Sequence, residues 1–332
     1  MTNRRACLLA LCASLAGEPL GALAQGAPPR LRRIGFLAGT ARAPVDAQID
    51  LLRQELAKLG WTDGQNFVFL EPRAAAGRNE RLPQLAAEVA AEKPDLILVV
   101  SVPATRAAMQ AAKSTPIVMV GVGNPVEVGI VDSYAKPGGN VTGVVLLADE
   151  LIRKTLQLLK ETAPRVRSVA FFANPTNPQV TPMAVAQMRA DASRLGLGLQ
   201  VVEVSKPGDF DDAFAAIGRE GSESILLPPE PLILTHRERI AAFAESRHLP
   251  LFMAAPGRWL PPNGLLSFGP SSIGVAEGTA RYIDRILKGA RPHELPIEQP
   301  ARFDLVVNLK AARALGLTIP PTILTQVNDL RE

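Results

Sequence analysis

Thiols are nearly missing from this chain. Its 332 residues include two cysteines, Cys7 and Cys12, and both fall in the N-terminal segment. If that segment is removed on export, disulfides, cysteine nucleophiles and thiolate metal sites are excluded together, as suits an oxidising compartment. Histidine is almost as scarce: His236, His248 and His293 are the only three, and none stands at metal-ligand spacing to another. Aromatic residues make up 5% of the sequence, and no run of lysine and arginine is interleaved with them. The net charge of +4 and the pI near 9.3 therefore do not point to a nucleic acid partner. No apolar run reaches the roughly 20 residues needed to span a bilayer. A Gly-x-Ser-x-Gly elbow, a phosphate-binding loop and a Gly-x-Gly-x-x-Gly fingerprint are all absent. The expectation is a protein without catalytic residues, metal or cofactor. The one hydrolase alternative is Ser101 joined in space to a distant histidine, since triads are not read from spacing.

What is present begins with an export signal. Arg4 and Arg5 precede the apolar stretch Ala6 to Ala16, and Ala22-Leu23-Ala24 supplies the small-x-small pattern of a cleavage point. Residues 1–24 are therefore expected to be a signal peptide, cut after Ala24. The arginine pair also fits a twin-arginine signal, so the export route stays open.

Beyond it, 47% hydrophobic and 20% charged residues are enough for a sizeable core. The plainest unit is Pro94 to Pro125: an apolar run, Leu96 to Val100; an alanine-rich helix opening at Pro103; a second apolar run, Ile117 to Val122; and a Gly-Asn-Pro turn. Continuous apolar strands joined by a helix imply a parallel sheet covered on both faces. Similar alternations run from Arg33 to Leu146, including a short helix expected over Val128 to Tyr134, and restart at Asp149. Two such sets mean two α/β lobes. The tail is too small for a third core, so it must complete the two lobes. The N-terminal lobe is expected over residues 31–146 with 271–295, and the C-terminal lobe over 147–269 with 297–332, with crossings near Leu147, Gly269 and Gln299.

Open parallel sheets bind ligands beyond the carboxyl ends of their strands, and this rule selects the candidate site residues. Thr40 and Ser101 follow the first and third strands. Ser101 either caps the following helix or, with the N–H groups of Ala104 and Thr105, receives an anionic group; the two roles are compatible. Asn124 and Asn174 end strands in turn-forming sequences, so each is a turn former or a ligand contact. Glu230, between prolines after a strand, is placed to receive a cation. Phe268 borders a crossing, where interlobe grooves lie.

Several phrases resemble a known family, the ABC-transporter substrate-binding proteins that include tryptophan- and phenylalanine-binding lipoproteins. They are Arg81-Leu82-Pro83 with Lys93-Pro94-Asp95, Gly123-Asn124-Pro125-Val126, Lys136-Pro137-Gly138-Gly139-Asn140-Val141-Thr142-Gly143, Asn174-Pro175-Thr176-Asn177-Pro178, Ser267-Phe268-Gly269-Pro270, and Asn308-Leu309-Lys310 through Gly316-Leu317-Thr318-Ile319-Pro320-Pro321. The resemblance implies a type I periplasmic binding protein fold: two doubly wound parallel-sheet lobes joined by a multi-crossing hinge. It implies a monomeric periplasmic receptor that closes on a small molecule, an amino acid or other carboxylate, and delivers it to a membrane permease. A ligand sensor of the same fold, signalling to a membrane receptor, is the alternative. The sequence departs from the family pattern twice, with Asn124 in place of a common aspartate and Phe268 in place of a common tyrosine. If the aspartate pairs with a ligand ammonium, its loss removes a contact of about 1.5–3 kcal/mol.

Overall fold

The first strand shows how the sequence builds two packed faces from one sheet. In β1 (Arg32–Ala38), Ile34, Phe36 and Ala38 enter one apolar cluster while Leu37 enters another. Strand side chains alternate between faces, so a strand buried on both sides needs a helix layer on each. The computed structural model describes residues 30–180 and 182–332; the expected signal peptide lies outside them.

The N-terminal sheet contains β1, β2 (Phe67–Phe69), β3 (Arg73–Ala74), β4 (Leu96–Val100), β5 (Ile117–Val122) and β6 (Val141–Val145), in the order β2-β1-β4-β5-β6 with β3 also beside β1. All pairings are parallel. Helix α1 (Arg42–Lys58) packs Val45, Ile49, Leu52 and Leu56 on one face; α2 (Leu82–Ala91) and α3 (Val102–Ala111) cover the other. Each fully buried side chain of this size stabilises by about 1.5–3 kcal/mol. The segment Val128 to Tyr134 is not helical. Gly129 takes φ +68°, and the Ile130 N–H turns back to the Pro125 carbonyl at 2.8 Å, so the chain coils into successive turns.

The C-terminal sheet runs β13-β12-β11-β10-β9-β7-β8. Its strands are β7 (Ser168–Ala173), β8 (Gly198–Glu203), β9 (Ile225–Leu227), β10 (Leu251–Met253), β11 (Leu266–Pro270), β12 (Phe303–Asn308) and β13 (Asp329–Arg331). Parallel pairing is broken once, where β12 runs antiparallel to β11. Helix α4 (Ala148–Thr162) lies on the face of Val169, Phe171 and Ala173, with α5 (Pro182–Arg194) packed beside α4. On the other face, Ala170 and Phe172 share a cluster with residues of α6 (Phe210–Glu220), α7 (Pro231–Thr235) and α8 (Arg237–Ser246).

The chain passes between the lobes after β6, after β11 and before β12. Between the last two passages, α9 (Ser272–Leu287) returns to the N-terminal lobe and packs Ala276, Ala280 and Ile283 with α1. The segment leading back is tied down: the Tyr282 hydroxyl donates to the Pro296 carbonyl, the Glu298 N–H donates to the Gly143 carbonyl at 3.1 Å, and the Val145 N–H donates to the Glu298 carbonyl at 3.0 Å. Among the described residues, no helix is long and apolar enough to cross a membrane.

Candidate functional site

Parallel strands deliver their carboxyl ends to one side of each sheet, and here the two sets of strand ends face each other. Between them lie two cavities. The larger, about 280 Å³, takes Arg106, Asn124 and Glu127 from the N-terminal lobe and Asp149, Asn174, Asn177, Gln179 and Glu230 from the C-terminal lobe. The smaller, about 100 Å³, takes Thr40, Gln48, Ser101 and Gly121 from one lobe and Pro256, Arg258 and Trp259 from the other. The loop Pro228 to Pro231 divides them: Pro229 borders both, Glu230 faces the larger and Pro231 the smaller.

The lobes also touch directly. An added Cβ on Gly39 would lie 3.2 Å or less from two atoms of the Pro231 ring, and one on Gly77 would lie 2.8 Å from the Leu232 Cα. Asn79 Nδ2 donates to Thr176 Oγ1 across the groove at 3.5 Å.

Ser101 holds the wall of the smaller cavity in an uncommon backbone state, φ +94° and ψ 156°, a region that non-glycine residues enter at a cost of about 1–3 kcal/mol. The following helix turn secures it. The Ser101 carbonyl accepts from the Thr105 N–H at 3.0 Å and the Thr105 hydroxyl at 2.8 Å, and its own hydroxyl accepts from the Ala104 N–H at 3.5 Å. Ala104 and Thr105 are fully buried and line neither cavity. Their N–H groups already donate to Ser101, which caps the helix, so the anion site expected from them is not formed by those two donors.

Asn124 sits at φ +41°, a left-handed state that asparagine tolerates better than most residues. Its Nδ2 donates to Glu127 Oε2 and to Asp149 Oδ2, both at 3.1 Å, the second across the lobes. An aspartate here would offer no donor to those two carboxylates and would repel both. The departure from the family pattern is thus matched by its surroundings.

Asn174 is fully buried and bonded through both ends of its amide. Its Nδ2 donates to Glu230 Oε1 at 2.9 Å, while its Oδ1 accepts from the Thr176 N–H at 3.0 Å and the Thr176 hydroxyl at 2.7 Å. Asn177, in the same family phrase, uses its Oδ1 on the Gln179 N–H at 3.1 Å; within the described residues its Nδ2 has no acceptor. Phe268 lines neither cavity. It stacks on Phe303, centroids 5.7 Å apart, against the core of its own lobe.

Glu230 is 4% exposed and caps α7, accepting from the Ile233 N–H at 3.0 Å. Burial pushes its carboxyl pKa up, against the opposing pull of the Ile233 N–H, the Asn174 amide and the Leu232 N–H. A carboxyl whose pKa is higher folded than unfolded favours folding most when protonated, below the ordinary carboxylate range. That contribution is lost as pH rises through the raised value. E230Q mimics the neutral form, so its urea midpoint is expected to gain on that of the parent as pH rises from the ordinary carboxylate range through the raised value. A pH-independent gap would show that Glu230 does not titrate in this way.

Glu127, Asp149, Gln179 and Arg258 were not singled out by the strand-end rule. Asp149 opens the helix after the first crossing, a position that could have suggested it. Arg258 lies in a short helical turn after the strand-end segment that follows β10 and carries no local signature.

Comparison with known proteins agrees with this architecture. The family described as "ABC transporter substrate binding protein" matches residues 39–330. A tyrosine-binding protein of Clostridioides difficile is 25% identical over 260 residues, 78% of this chain and 73% of that protein. The crystal structure of a conserved domain protein from Vibrio cholerae superposes with a TM-score of 0.82 at 27% identity, covering 91% of this chain and all of that one. An ABC domain from Streptococcus pneumoniae in complex with L-Trp gives 0.81 at 22% identity, covering 90% of this chain and 99% of that one.

Proposed function

We propose, from the premise that this chain belongs to the ABC transporter substrate-binding protein family, that it captures a small molecule, an amino acid or other carboxylate, between its lobes and presents the closed form to a membrane permease. Binding of small ligands, not catalysis, is the work of this family. The observation that carries the reading is the pair of interlobe cavities, each walled by residues of both lobes. A ligand seated there contacts both walls at once and so favours the closed arrangement by its differential affinity for it. The larger cavity combines three acidic side chains and Arg106 with the apolar side chains of Ile152, Val180 and Met188, a setting for a molecule with charged groups and an apolar body. The leader expected over residues 1–24 places the receptor in the periplasm, where it acts as a monomer.

The test is a thermal-shift panel of amino acids and their derivatives, including tyrosine, tryptophan and phenylalanine. A ligand at 100 times its Kd stabilises the folded form by about 2.7 kcal/mol, which raises the melting temperature by several degrees. No shift with any member would overturn the amino-acid reading.

A further inference from the structure

Two guanidinium groups flank the indole of Trp259: Arg237 at 5.5 Å from the ring centroid and Arg258 at 5.7 Å. Arg237 is engaged, donating to Glu238 Oε1 at 3.1 Å and to the Leu234 carbonyl at 2.9 Å. Arg258 is not. Among the described residues it has no carboxylate within ion-pair distance and no hydrogen-bond acceptor, and its side chain lines the smaller interlobe cavity. It retains exposed surface while protein crowds it on most sides, and that crowding pushes its pKa down to about 10. A cation still charged at neutral pH is thus held beside an aromatic face, partly open to solvent, with no acidic partner among the described residues.

The groups opposite are also unused. Thr40, 4% exposed, and Gln48, 8% exposed, line the same cavity, and neither side chain hydrogen-bonds to any described residue. A hydroxyl and an amide on one wall of the cavity and a guanidinium on the other are thus left open to a molecule from outside the chain. Acidic side chains are confined to one cavity: Glu127, Asp149 and Glu230 line the larger, together with Arg106, whereas among the described residues no aspartate or glutamate lines the smaller.

We propose that the smaller cavity seats a carboxylate of the ligand, with Arg258 as its counter-ion and Thr40 and Gln48 as neutral donors from the opposite lobe. This rests on the receptor reading above and deepens it. A guanidinium presents parallel N–H donors that match the two oxygens of a carboxylate. The hydroxyl and amide come from the other lobe, so the carboxylate closes the groove by bridging Arg258 to Thr40 and Gln48.

The test uses the full mature chain, R258Q and T40V, with circular dichroism and ligand-free melting to establish that the variants fold like the parent. Calorimetric titration compares each amino acid that binds the parent with its carboxamide. R258Q is expected to lose at least tenfold in affinity for the acid and to bind the carboxamide as the parent does, with R258K recovering part of the loss and T40V losing severalfold. Equal affinity of R258Q and parent for the acid, or equal losses for acid and carboxamide, would overturn the proposal. Acetate supplies an arm independent of the natural ligand. At constant ionic strength, acetate that stabilises the parent but not R258Q supports the site whatever the panel shows, and an identical response in both sinks it. Inorganic phosphate protecting the parent in an Arg258-dependent way, with acetate inert, would make the anion a phosphate and overturn the carboxylate assignment.

Discussion

Gly143→Ala is expected to destabilise the N-terminal lobe by about 3 kcal/mol or more, combining backbone strain with overpacking. Gly143 adopts φ +140° in β6, directly opposite Met119 of β5. A Cβ added there would lie 2.1 Å from the Met119 carbonyl oxygen and 2.8 Å from its nitrogen. Both are backbone atoms of a neighbouring strand in the same ladder, so neither can swing aside. The same glycine accepts the Glu298 N–H, which couples the strand to the third interlobe crossing. A fall of several degrees in melting temperature, with a lower urea midpoint, is the expected reading; a variant as stable as the parent would mean that β5 and β6 part easily.

Gly77→Val should leave the lobes folded and hold them apart. Gly77 stands at φ +78°, which a β-branched residue enters only with strain, and its Cα faces the Leu232 backbone across the groove. The obstacle is therefore felt most when the lobes meet. If closure becomes less favourable by about 2.7 kcal/mol, apparent affinity falls about 100-fold, because a ligand must spend binding energy restoring the closed population. Titration of a panel member that binds the parent measures the loss, and small-angle scattering under saturating ligand should report a larger radius of gyration than for the parent. Undiminished affinity would show that this contact is not part of closure.

These two glycines also show what a sequence can and cannot convey. The doubly wound architecture was legible because burial on both faces writes itself into strands such as Leu96 to Val100, and because helices announce themselves at spacings of three and four. Gly143 appears in a recognisable phrase, yet its reason, a backbone four strands into the sheet, is a tertiary fact. Strand-end reasoning located Thr40, Ser101, Asn124, Asn174 and Glu230, all of which border one of the two cavities. It did not separate residues that face the groove with free donors from those consumed in supporting it. Asn174 commits both ends of its amide to Glu230 and Thr176, whereas among the described residues Asn177 bonds only through its Oδ1 and Arg258 has no acceptor. Phe268 has an aromatic partner, Phe303, supplied by the one antiparallel pairing, which no periodicity in β11 foretells. The helix expected over Val128 to Tyr134 failed for a local reason, a left-handed glycine in its midst.

The segment that returns the chain to the C-terminal lobe has a second consequence. β6 is the last strand of its sheet, and such a strand offers bare N–H and C=O groups to any other extended chain. Here Glu298 takes both the Val145 N–H and the Gly143 carbonyl, so the backbone that links the lobes also occupies the edge of the sheet. A mutation that loosened this linker would do more than alter the hinge: it would uncover a template for strand addition, and the damage would show first as concentration-dependent aggregation.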